Sequence, residues 1–533
     1  MNIFALAPLS VALLFFAAAL TFILLKYPRA QALISFGAIL VALGLEITLL
    51  LAVWNKEPQA VHLGGWEAPF GIVMVVDQLS ALMLVVSSTI SLAVLVFATG
   101  QNLADEDDEV PISVYYPTYL LLIAGVSNAF LAGDLFNLYV GFEILLFASY
   151  VLTTMNASTE RIRAGVTYVV VSVISSMLFL IAIGFIYASV GTVNMADLAL
   201  KLGTLPEGTR MQLHLMLLIA FGIKAAVFPL SLWLPDSYPT APAPVTAVFA
   251  GLLTKVGVYS IIRTETLLFP GGHLNTLLAI VAILTLFVGI LGALAQKDIK
   301  RLLSFTLISH IGYMIWGIAL SSELALTTVV FYIAHHIVIQ TALFMVVGLI
   351  ERRTGSTNTD RLGGMLAISP VLGVLYMVPA LNLGGIPPFS GFIGKIGLLQ
   401  ASADAGTWQA YAMAGVGVLV SLLTLIALMR IWNKAFWRPV AQAEDPMVEL
   451  LSAEESDNPS RYKHKPIPTS MFYSTLGLIS VSVAITFLAP PLFELADFAS
   501  DNLFEPDRYV QAVFGQTAPT IEEYLADHAG GAQ

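Results

Sequence analysis

Long apolar segments alternate with short polar ones along almost the whole chain. A helix needs about 20 mostly apolar residues to cross the hydrocarbon core of a membrane. Segments of this kind lie near 8–25, 33–54, 72–98, 116–133, 134–154, 164–190, 212–233, 241–263, 276–295, 302–320, 323–350, 368–402, 408–432 and 468–489. The pattern therefore predicts an all-α polytopic membrane protein with about fourteen transmembrane helices.

Two of these segments contain helix-breaking residues. Pro229 lies near the end of 212–233, and Pro387 and Pro388 follow two glycines inside 368–402, so both segments are predicted to be broken helices. Helices four to eight and nine to thirteen then form two blocks of five, each with one broken helix. Because five is odd, the second block enters the membrane in the opposite orientation, and we expect two inverted repeats.

Charge in the loops indicates the orientation. Fifteen Lys and Arg residues fall in the loops of one side and five in those of the other, so the richer side is predicted to be cytoplasmic and both termini external. We expect, in order, a three-helix segment at 1–110, a first repeat at 111–263, a second repeat at 264–432, a cytoplasmic loop at 433–467, a final helix at 468–489 and an acidic extracytoplasmic tail at 490–533.

Composition supports this class and excludes others. Hydrophobic residues make up 58% of the 533 residues and charged residues only 11%, whereas soluble domains carry about 25% charged residues. Cysteine is absent, so disulfides and thiolate metal sites are excluded. No phosphate-binding loop, dinucleotide fingerprint, catalytic triad or basic nucleic-acid patch occurs. We therefore expect no cofactor, no nucleic-acid partner and no enzyme activity, and energy must come from an ion gradient or a partner.

Ionisable residues interrupt the apolar segments at Glu143, Lys224, Lys255 and Lys395. A charge at bilayer depth costs at least ~2.5–3.5 kcal/mol on insertion scales, so such residues usually mark an ion or proton path. Glu143 is the natural partner of Lys224, and the pair would either switch the protonation of the lysine or only dock two helices. Lys255 and Lys395 would relay a proton through water or serve as structural charges. Asp134 lies nearer a helix end, where we expect it either to cap the helix or to be exposed at the membrane interface.

Three histidines within predicted helices, His310, His335 and His336, lie between Lys255 and Lys395 in the sequence. Histidine titrates near neutral pH and often relays protons, although each could also be an ordinary interior histidine. His335 and His336 point about 100° apart on a helix, so we expect only one of them to face a given path. Their spacing does not suit a metal site, and none is predicted.

Several motifs resemble a known family. Trp233–Pro242, Leu253–Tyr259 and Gly385–Phe392 resemble the proton-conducting antiporter-like subunits shared by Mrp-type antiporters and respiratory complex I. The stretch Gly133–Val140 and the lysine at 395 are most similar to the MrpD-type subunits of the multi-subunit Na⁺/H⁺ antiporters. The likeness covers most of the chain.

The resemblance implies a role for each buried charge. Glu143 and Lys224 would form the ion pair of a first half-channel, Lys255 would connect the halves, and Lys395 would act in the second half-channel. The helix that carries the histidines would lie between them. Some relatives have a lysine just after the histidine of that helix, where this chain has Gln340.

The resemblance also implies a function. It is that of a proton-translocating subunit of a monovalent cation (Na⁺)/proton antiporter in a prokaryotic cell membrane, assembled with other membrane subunits. One alternative is a proton-pumping membrane-arm subunit of complex I or of a membrane-bound hydrogenase, which co-purifying iron–sulfur chains would indicate. Another is a scaffold without transport activity, which would tolerate neutral replacements at the buried charges.

Overall fold

The computed structural model describes residues 3–104, 112–155, 159–445 and 466–528. A short antiparallel hairpin of β1 (Gln59–His62) and β2 (Val73–Val76) accompanies the helices. The helices are, in chain order, α1 (Leu6–Ile23), α2 (Pro28–Val53), α3 (Gln78–Ala104), α4 (Ile112–Leu131), α5 (Leu135–Thr154), α6 (Thr159–Val190), α7 (Met195–Lys201), α8 (Glu207–Ala225), α9 (Leu234–Ser237), α10 (Ala243–Arg263), α11 (Asn275–Ala295), α12 (Ile299–Leu320), α13 (Glu323–Thr354), α14 (Met365–Ile368), α15 (Pro370–Gly384), α16 (Ser390–Ala405), α17 (Trp408–Ile431), α18 (Thr469–Phe487), α19 (Ala489–Phe504), α20 (Pro506–Phe514) and α21 (Ile521–His528).

The membrane crossings agree with the predicted fold class. Twelve of the described helices are long and apolar enough to span a membrane. A further crossing is α8, whose ionisable side chains lower its average hydropathy, and another is formed jointly by the short helices α15 and α16. The prediction of an all-α polytopic membrane protein with about fourteen spans is confirmed.

Two crossings are interrupted by turns. The first, α8, ends at Ala225, where Ala226 has a φ of 58°, and Pro229 lies in the turns that lead to α9. The second interruption lies between α15 and α16 and contains Pro387 and Pro388. Proline lacks an N–H group and crowds the preceding turn, which is why neither crossing continues as one helix.

The two blocks of five crossings, α4–α10 and α11–α17, are related by a shift of 164 positions (298 minus 134, and 358 minus 194). Asp134 and Asn194 form an isolated β-bridge, and Asp298 and Asn358 form the equivalent bridge in the second block. Both aspartates cap a helix, α5 and α12 respectively, by accepting a backbone N–H in its first turn. Since each block has an odd number of crossings, the two repeats are inverted relative to each other.

The centre of the bundle is formed by α10 and α13. Their apolar segments are wholly buried inside the protein, whereas α1, α2, α6, α11, α17 and α18 are less than half buried. Large apolar side chains are exposed on these outer helices, as Phe16, Val170 and Leu422 illustrate. An apolar surface of this kind suits contact with lipid or with other membrane helices.

The first and last described segments meet at one end of the bundle, which we call the hairpin end. There β1 contacts both the N-terminal residues Ile3–Ala5 and α20. The region predicted as an acidic tail after residue 490 forms α19, α20 and α21. The first two pack on the protein through buried residues such as Leu495 and Val510. The two ends of the described chain therefore lie at the same end of the bundle.

A buried ion pair fastens the hairpin end. The guanidinium of Arg263, at the end of α10, bonds to the carboxylate of Asp77, which immediately precedes α3. The rings of Tyr259 and Tyr509 lie 5.2 and 5.6 Å from the Arg263 guanidinium carbon. Because Tyr509 belongs to α20, this cluster joins α3, α10 and the C-terminal helices.

Replacing Asp77 with Asn is expected to destabilise the protein by about 3–5 kcal/mol, because Arg263 would stay buried and charged without an anionic partner. Thermal unfolding of the purified protein in detergent measures the effect. Lys201→Ala serves as the control, since it removes only the more exposed i,i+4 pair with Asp197, worth about 0.5 kcal/mol or less. Equal stability of the two variants would contradict the prediction.

The opposite end of the bundle, which we call the basic end, carries ion pairs between loops. The carboxylate of Asp360 contacts the amine of Lys297 at 2.6 Å and that of Lys434 at 2.8 Å. Glu444 contacts the same amines at 3.6 and 3.3 Å. Hydrogen bonds from Lys297, and then from Lys434, lower the pKa of Asp360 to about 2. These pairs tie the segment before α12 to the segment after α17.

The contribution of Asp360 to stability should depend on pH. Because its pKa is lower in the folded protein than in the unfolded chain, the contribution is complete above about pH 4 and is lost as the pH falls towards about 2. Thermal unfolding at a series of pH values across this window should show a steeper loss of stability for the wild type than for Asp360→Asn. Parallel pH profiles would contradict the prediction.

Candidate functional site

The first buried lysine lies in the last turn of α8, just before the break. Lys224 is almost entirely buried, and its Nζ donates a hydrogen bond of 2.8 Å to the Ser176 hydroxyl on α6. The same Nζ lies 5.2 Å from the centre of the Phe142 ring on α5. Because an aromatic face attracts a cation, the ring and the hydroxyl together hold the ammonium group.

Glu143 lies near this lysine without bonding to it. Its side chain is only partly exposed, and its Oε1 has no hydrogen-bond partner. The two groups interact electrostatically, but the Lys224 amine is turned towards Ser176. The direct Glu143–Lys224 ion pair expected from the sequence is therefore not formed in this structure.

A small cavity adjoins the Lys224 amine. Its volume is about 20 Å³, and its walls include Ser172, Ser175 and Leu253. A cavity of this size has room for about one water molecule. Since Leu253 belongs to α10, the cavity leads from the first lysine towards the helix that carries Lys255.

A glycine brings α10 against the end of α8. A Cβ atom at Gly257 would lie 2.6 Å from the backbone nitrogen of Ala225, so a side chain here would force the helices apart. Lys255, two residues earlier, is wholly buried, and its Nζ donates a hydrogen bond of 2.6 Å to the carbonyl of Ala250. This second lysine is thus held by a carbonyl of its own helix.

Histidines of α12 and α13, two helices of the second repeat, lie next after Lys255. His336 interacts electrostatically with Lys255, and neither of its ring nitrogens has a hydrogen-bond partner. Its ring centre lies 5.2 Å from that of His310. His310 in turn has its Nδ1 2.8 Å from the Tyr332 hydroxyl. The polar groups therefore continue across the centre of the bundle.

His335, the neighbouring residue of α13, points about 100° away from His336 around the helix axis. Its Nδ1 is 2.9 Å from the hydroxyl of Ser390, the first residue of α16, and it interacts electrostatically with Lys395. His336 faces the first lysines and His335 faces the last. His336 therefore adjoins His310 and His335 adjoins Ser390, and the expectation that only one of them faces a given path stays a prediction.

The third lysine lies just beyond the second break. The Lys395 Nζ donates hydrogen bonds to the carbonyls of Leu383 (3.1 Å) and Gly384 (3.2 Å) and to the Ser421 hydroxyl (2.9 Å). Both carbonyls are at the end of α15, where carbonyls lack helical donors and carry partial negative charge. Nζ also lies 5.1 Å from the centre of the Tyr313 ring.

A larger cavity adjoins Lys395. Its volume is about 140 Å³, and its walls include Tyr313, Trp316 and Ser421. Several water molecules fit in this space. At its rim, Ile396 and Val418 are exposed on the outer surface of the bundle. The second half of the site therefore has much more room for water than the first.

The polar partners of the charged groups were not found from the sequence. Tyr332 had a usable signal, since it lies three residues before His335 and four before His336 and so shares a helix face with them. The sequence contained no comparable signal for the serines, because a single serine in an apolar helix usually bonds to a carbonyl of its own helix. Ser176 and Ser390 acquire their partners only from the packing of other helices.

Gln340 and Asp134 were also singled out from the sequence, and each has a partner of its own. Gln340 donates a hydrogen bond of 2.9 Å to the Leu303 carbonyl. Asp134 caps α5 at the hairpin end, and burial raises its pKa to about 6. No group of three or more His, Asp or Glu suited to a metal ion occurs in the described part of the chain.

The chain is similar to known proteins over most of its length. Residues 132–424, which include all six predicted translocation residues, match the family model described as NADH:quinone oxidoreductase/Mrp antiporter, TM. The chain is 38% identical to the D subunit of the Na⁺/H⁺ antiporter of Alkalihalophilus pseudofirmus, over 92% of this chain and 95% of that protein. It is 33% identical to the Bacillus subtilis protein of the same name, over 96% and 99%. The chain belongs to the NADH:quinone oxidoreductase/Mrp antiporter family.

Solved structures support the membership. A chain in the Mrp complex from Dietzia sp. DQ12-45-1b superposes with a TM-score of 0.87 at 30% identity, covering 97% of this chain and 100% of that one. A chain of respiratory complex I from Thermus thermophilus superposes with a TM-score of 0.69 at 21% identity, covering 90% of this chain and 97% of that one, which shows a shared fold. The resemblance to the antiporter family inferred from the motifs is confirmed.

Gly385→Ala is expected to displace the Lys395 amine in this antiporter-family chain. Gly385 has a φ of 80°, and a Cβ there would lie 2.8 Å from Lys395 Cδ and 3.0 Å from Nζ. Gly406→Ala is the matched control, because Gly406 has a φ of 63° but no atom within 4 Å of the added Cβ. Both variants should lose about 1–2 kcal/mol of stability from backbone strain.

Only Gly385→Ala should move the amine away from the Gly384 carbonyl. A cryo-EM map of each variant measures the amine position, and thermal unfolding measures the common strain. An unmoved Lys395 amine in Gly385→Ala would show that the contact does not restrict this side chain.

Proposed function

We propose that this chain is the D subunit of a multi-subunit Na⁺/H⁺ antiporter and that it carries protons across the membrane. It acts as part of a transporter, not as an enzyme, and assembles with other membrane subunits. The relatives reported above carry the name of that subunit, and the Mrp complex contains a chain with the same fold over nearly its whole length.

One observation carries the proton-translocating role. Buried ionisable groups follow one another through the centre of the bundle, from one broken helix to the other. They are, in order, Lys224, Lys255, His336, His310, His335 and Lys395. Such groups are costly inside a membrane and are tolerated where they exchange or conduct ions.

The geometry supports a stepwise mechanism in the first half. Lys224 alternates between the Ser176 hydroxyl and the Glu143 carboxylate. The carboxylate stabilises the ammonium form, and separation from it favours release of the proton. The released proton moves through water in the adjoining cavity to Lys255.

The histidines connect Lys255 with the second half. A neutral imidazole accepts a proton on one nitrogen and donates from the other, so His336, His310 and His335 can pass a proton onward. Tyr332 and Ser390 orient two of these rings through their hydroxyls. Lys395 receives the proton and exchanges it with water in the larger cavity.

We place the protein in a bacterial cell membrane with the basic end in the cytoplasm. Lys and Arg are concentrated in the loops of that end, and cytoplasmic loops of membrane proteins carry such an excess. Both termini, at the hairpin end, then lie on the outer side.

Lys224→Ala and Lys395→Ala are each expected to reduce antiport to background, because each removes an amine on which the proton path depends. Na⁺-driven proton movement in vesicles that contain the assembled complex measures this. Lys201→Ala is the control, since that lysine lies outside the path and pairs with Asp197. Its antiport should equal that of the wild type.

Three outcomes would contradict the proposal. Normal antiport in Lys224→Ala would remove the central role of that lysine. Normal antiport after combined neutral replacement of Glu143, Lys224 and Lys395 would indicate a scaffold. Co-purification with iron–sulfur chains in mild detergent would indicate a redox-driven pump.

A further inference from the structure

A second buried carboxyl group lies outside the central path. Glu46 is on α2, an outer helix, and its side chain is wholly buried. It faces α3, where Ser88 is the side chain that interacts with it. Neither carboxyl oxygen has a hydrogen-bond partner of normal geometry. The proposed translocation steps make no use of this group.

The helices around Glu46 supply no balancing cation within the described residues. The helices packed against α2 are α1, α3 and α4, and their sequences contain no Asp, Glu, Lys, Arg or His; their titratable side chains are tyrosines of α4. On α2 itself the other charged residue is Arg29, about 26 Å away along the helix axis at 1.5 Å per residue. An isolated ionised carboxylate in such surroundings is strongly disfavoured, whereas a protonated one is tolerated.

Hydroxyl groups lead away from Glu46 along α3. Ser88 and Ser91 lie one turn apart on this helix, both wholly buried and both with hydroxyls that lack a hydrogen-bond partner. Ser87, the neighbour of Ser88, instead donates to the Met83 carbonyl at 2.6 Å. The unpartnered serines are therefore those on the face towards Glu46 and α4.

Two tyrosines of α4 extend the series. The Tyr119 hydroxyl donates a hydrogen bond of 2.8 Å to the Ser91 carbonyl. The Tyr115 ring stacks on that of Tyr119 with centres 5.3 Å apart, and its buried hydroxyl has no partner. Tyr115 lies in the first turn of α4, at the basic end, and Glu46 lies nearer the hairpin end.

We propose that Glu46 is a second proton-binding site, separate from the lysine and histidine path, and that it exchanges protons with the basic end through Ser88, Ser91, Tyr119 and Tyr115. Hydroxyl groups both donate and accept hydrogen bonds, so a series of them can pass a proton when water fills the gaps. The N-terminal helices then bind a proton of their own.

Labelling of the native complex tests the protonation of Glu46. Dicyclohexylcarbodiimide is lipid-soluble and reacts with carboxyl groups in their protonated form, and peptide mass spectrometry locates the product. We expect labelling of Glu46 that decreases as the pH is raised, and none in Glu46→Gln. No labelling at any pH, or labelling that does not change with pH, would overturn the proposal.

Antiport by variant complexes tests whether the site takes part in transport. Glu46→Gln and Ser88→Ala should each lower the antiport rate severalfold or shift its pH dependence, with normal assembly. Ser87→Ala is the matched control on the same helix and should behave as the wild type. Wild-type rates and pH profiles in both Glu46→Gln and Ser88→Ala would overturn the proposal. The labelling result is independent of the Lys224 test, so the two ideas can fail separately.

Discussion

The burial of charge inside a membrane is the constraint on which this structure depends. Lipid offers no polar partners, so every buried amine must find them within the protein. Here the partners are mostly neutral dipoles. Ser176 serves Lys224, the Ala250 carbonyl serves Lys255, and the last carbonyls of α15 serve Lys395. A dipole stabilises an ammonium group less than a carboxylate does, and therefore leaves it able to release its proton.

The buried lysines of the two broken helices differ in their position relative to the break. Lys224 lies before its break, in α8, whereas Lys395 lies after its break, in α16. Lys395 bonds to the last carbonyls of α15, whereas Lys224 bonds to the Ser176 hydroxyl. The inverted repeats share their helix positions and caps, yet they hold their lysines in unlike surroundings. The difference extends to the cavities, about 20 Å³ beside the first lysine and about 140 Å³ beside the second.

The N-terminal helices are connected to the centre of the bundle through α3. One face of α3 meets Glu46 through Ser88, and another places Ile90 beside Gly251 of α10, one turn before Lys255. The ion pair of Asp77 with Arg263 fastens α3 to α10 at the hairpin end. A change in the packing of α3 would therefore alter the surroundings of both Lys255 and Glu46.

The sequence alone determined the class of protein, the broken helices and the charges buried at the centre of the bundle, because the length of apolar segments, prolines and isolated charges are local signals. The motifs also determined the family. Glu46 carried the same local signal as Glu143, but no motif singled it out. Only the tertiary structure decided which partner each charge has. It turned Lys224 towards Ser176 instead of Glu143, set His336 beside His310 and His335 beside Ser390, and folded the C-terminal segment onto the hairpin end. These outcomes depend on which faces of distant helices meet, and on glycines such as Gly257 that allow close approach. Spacing along one helix contains no information about a neighbour from another part of the chain.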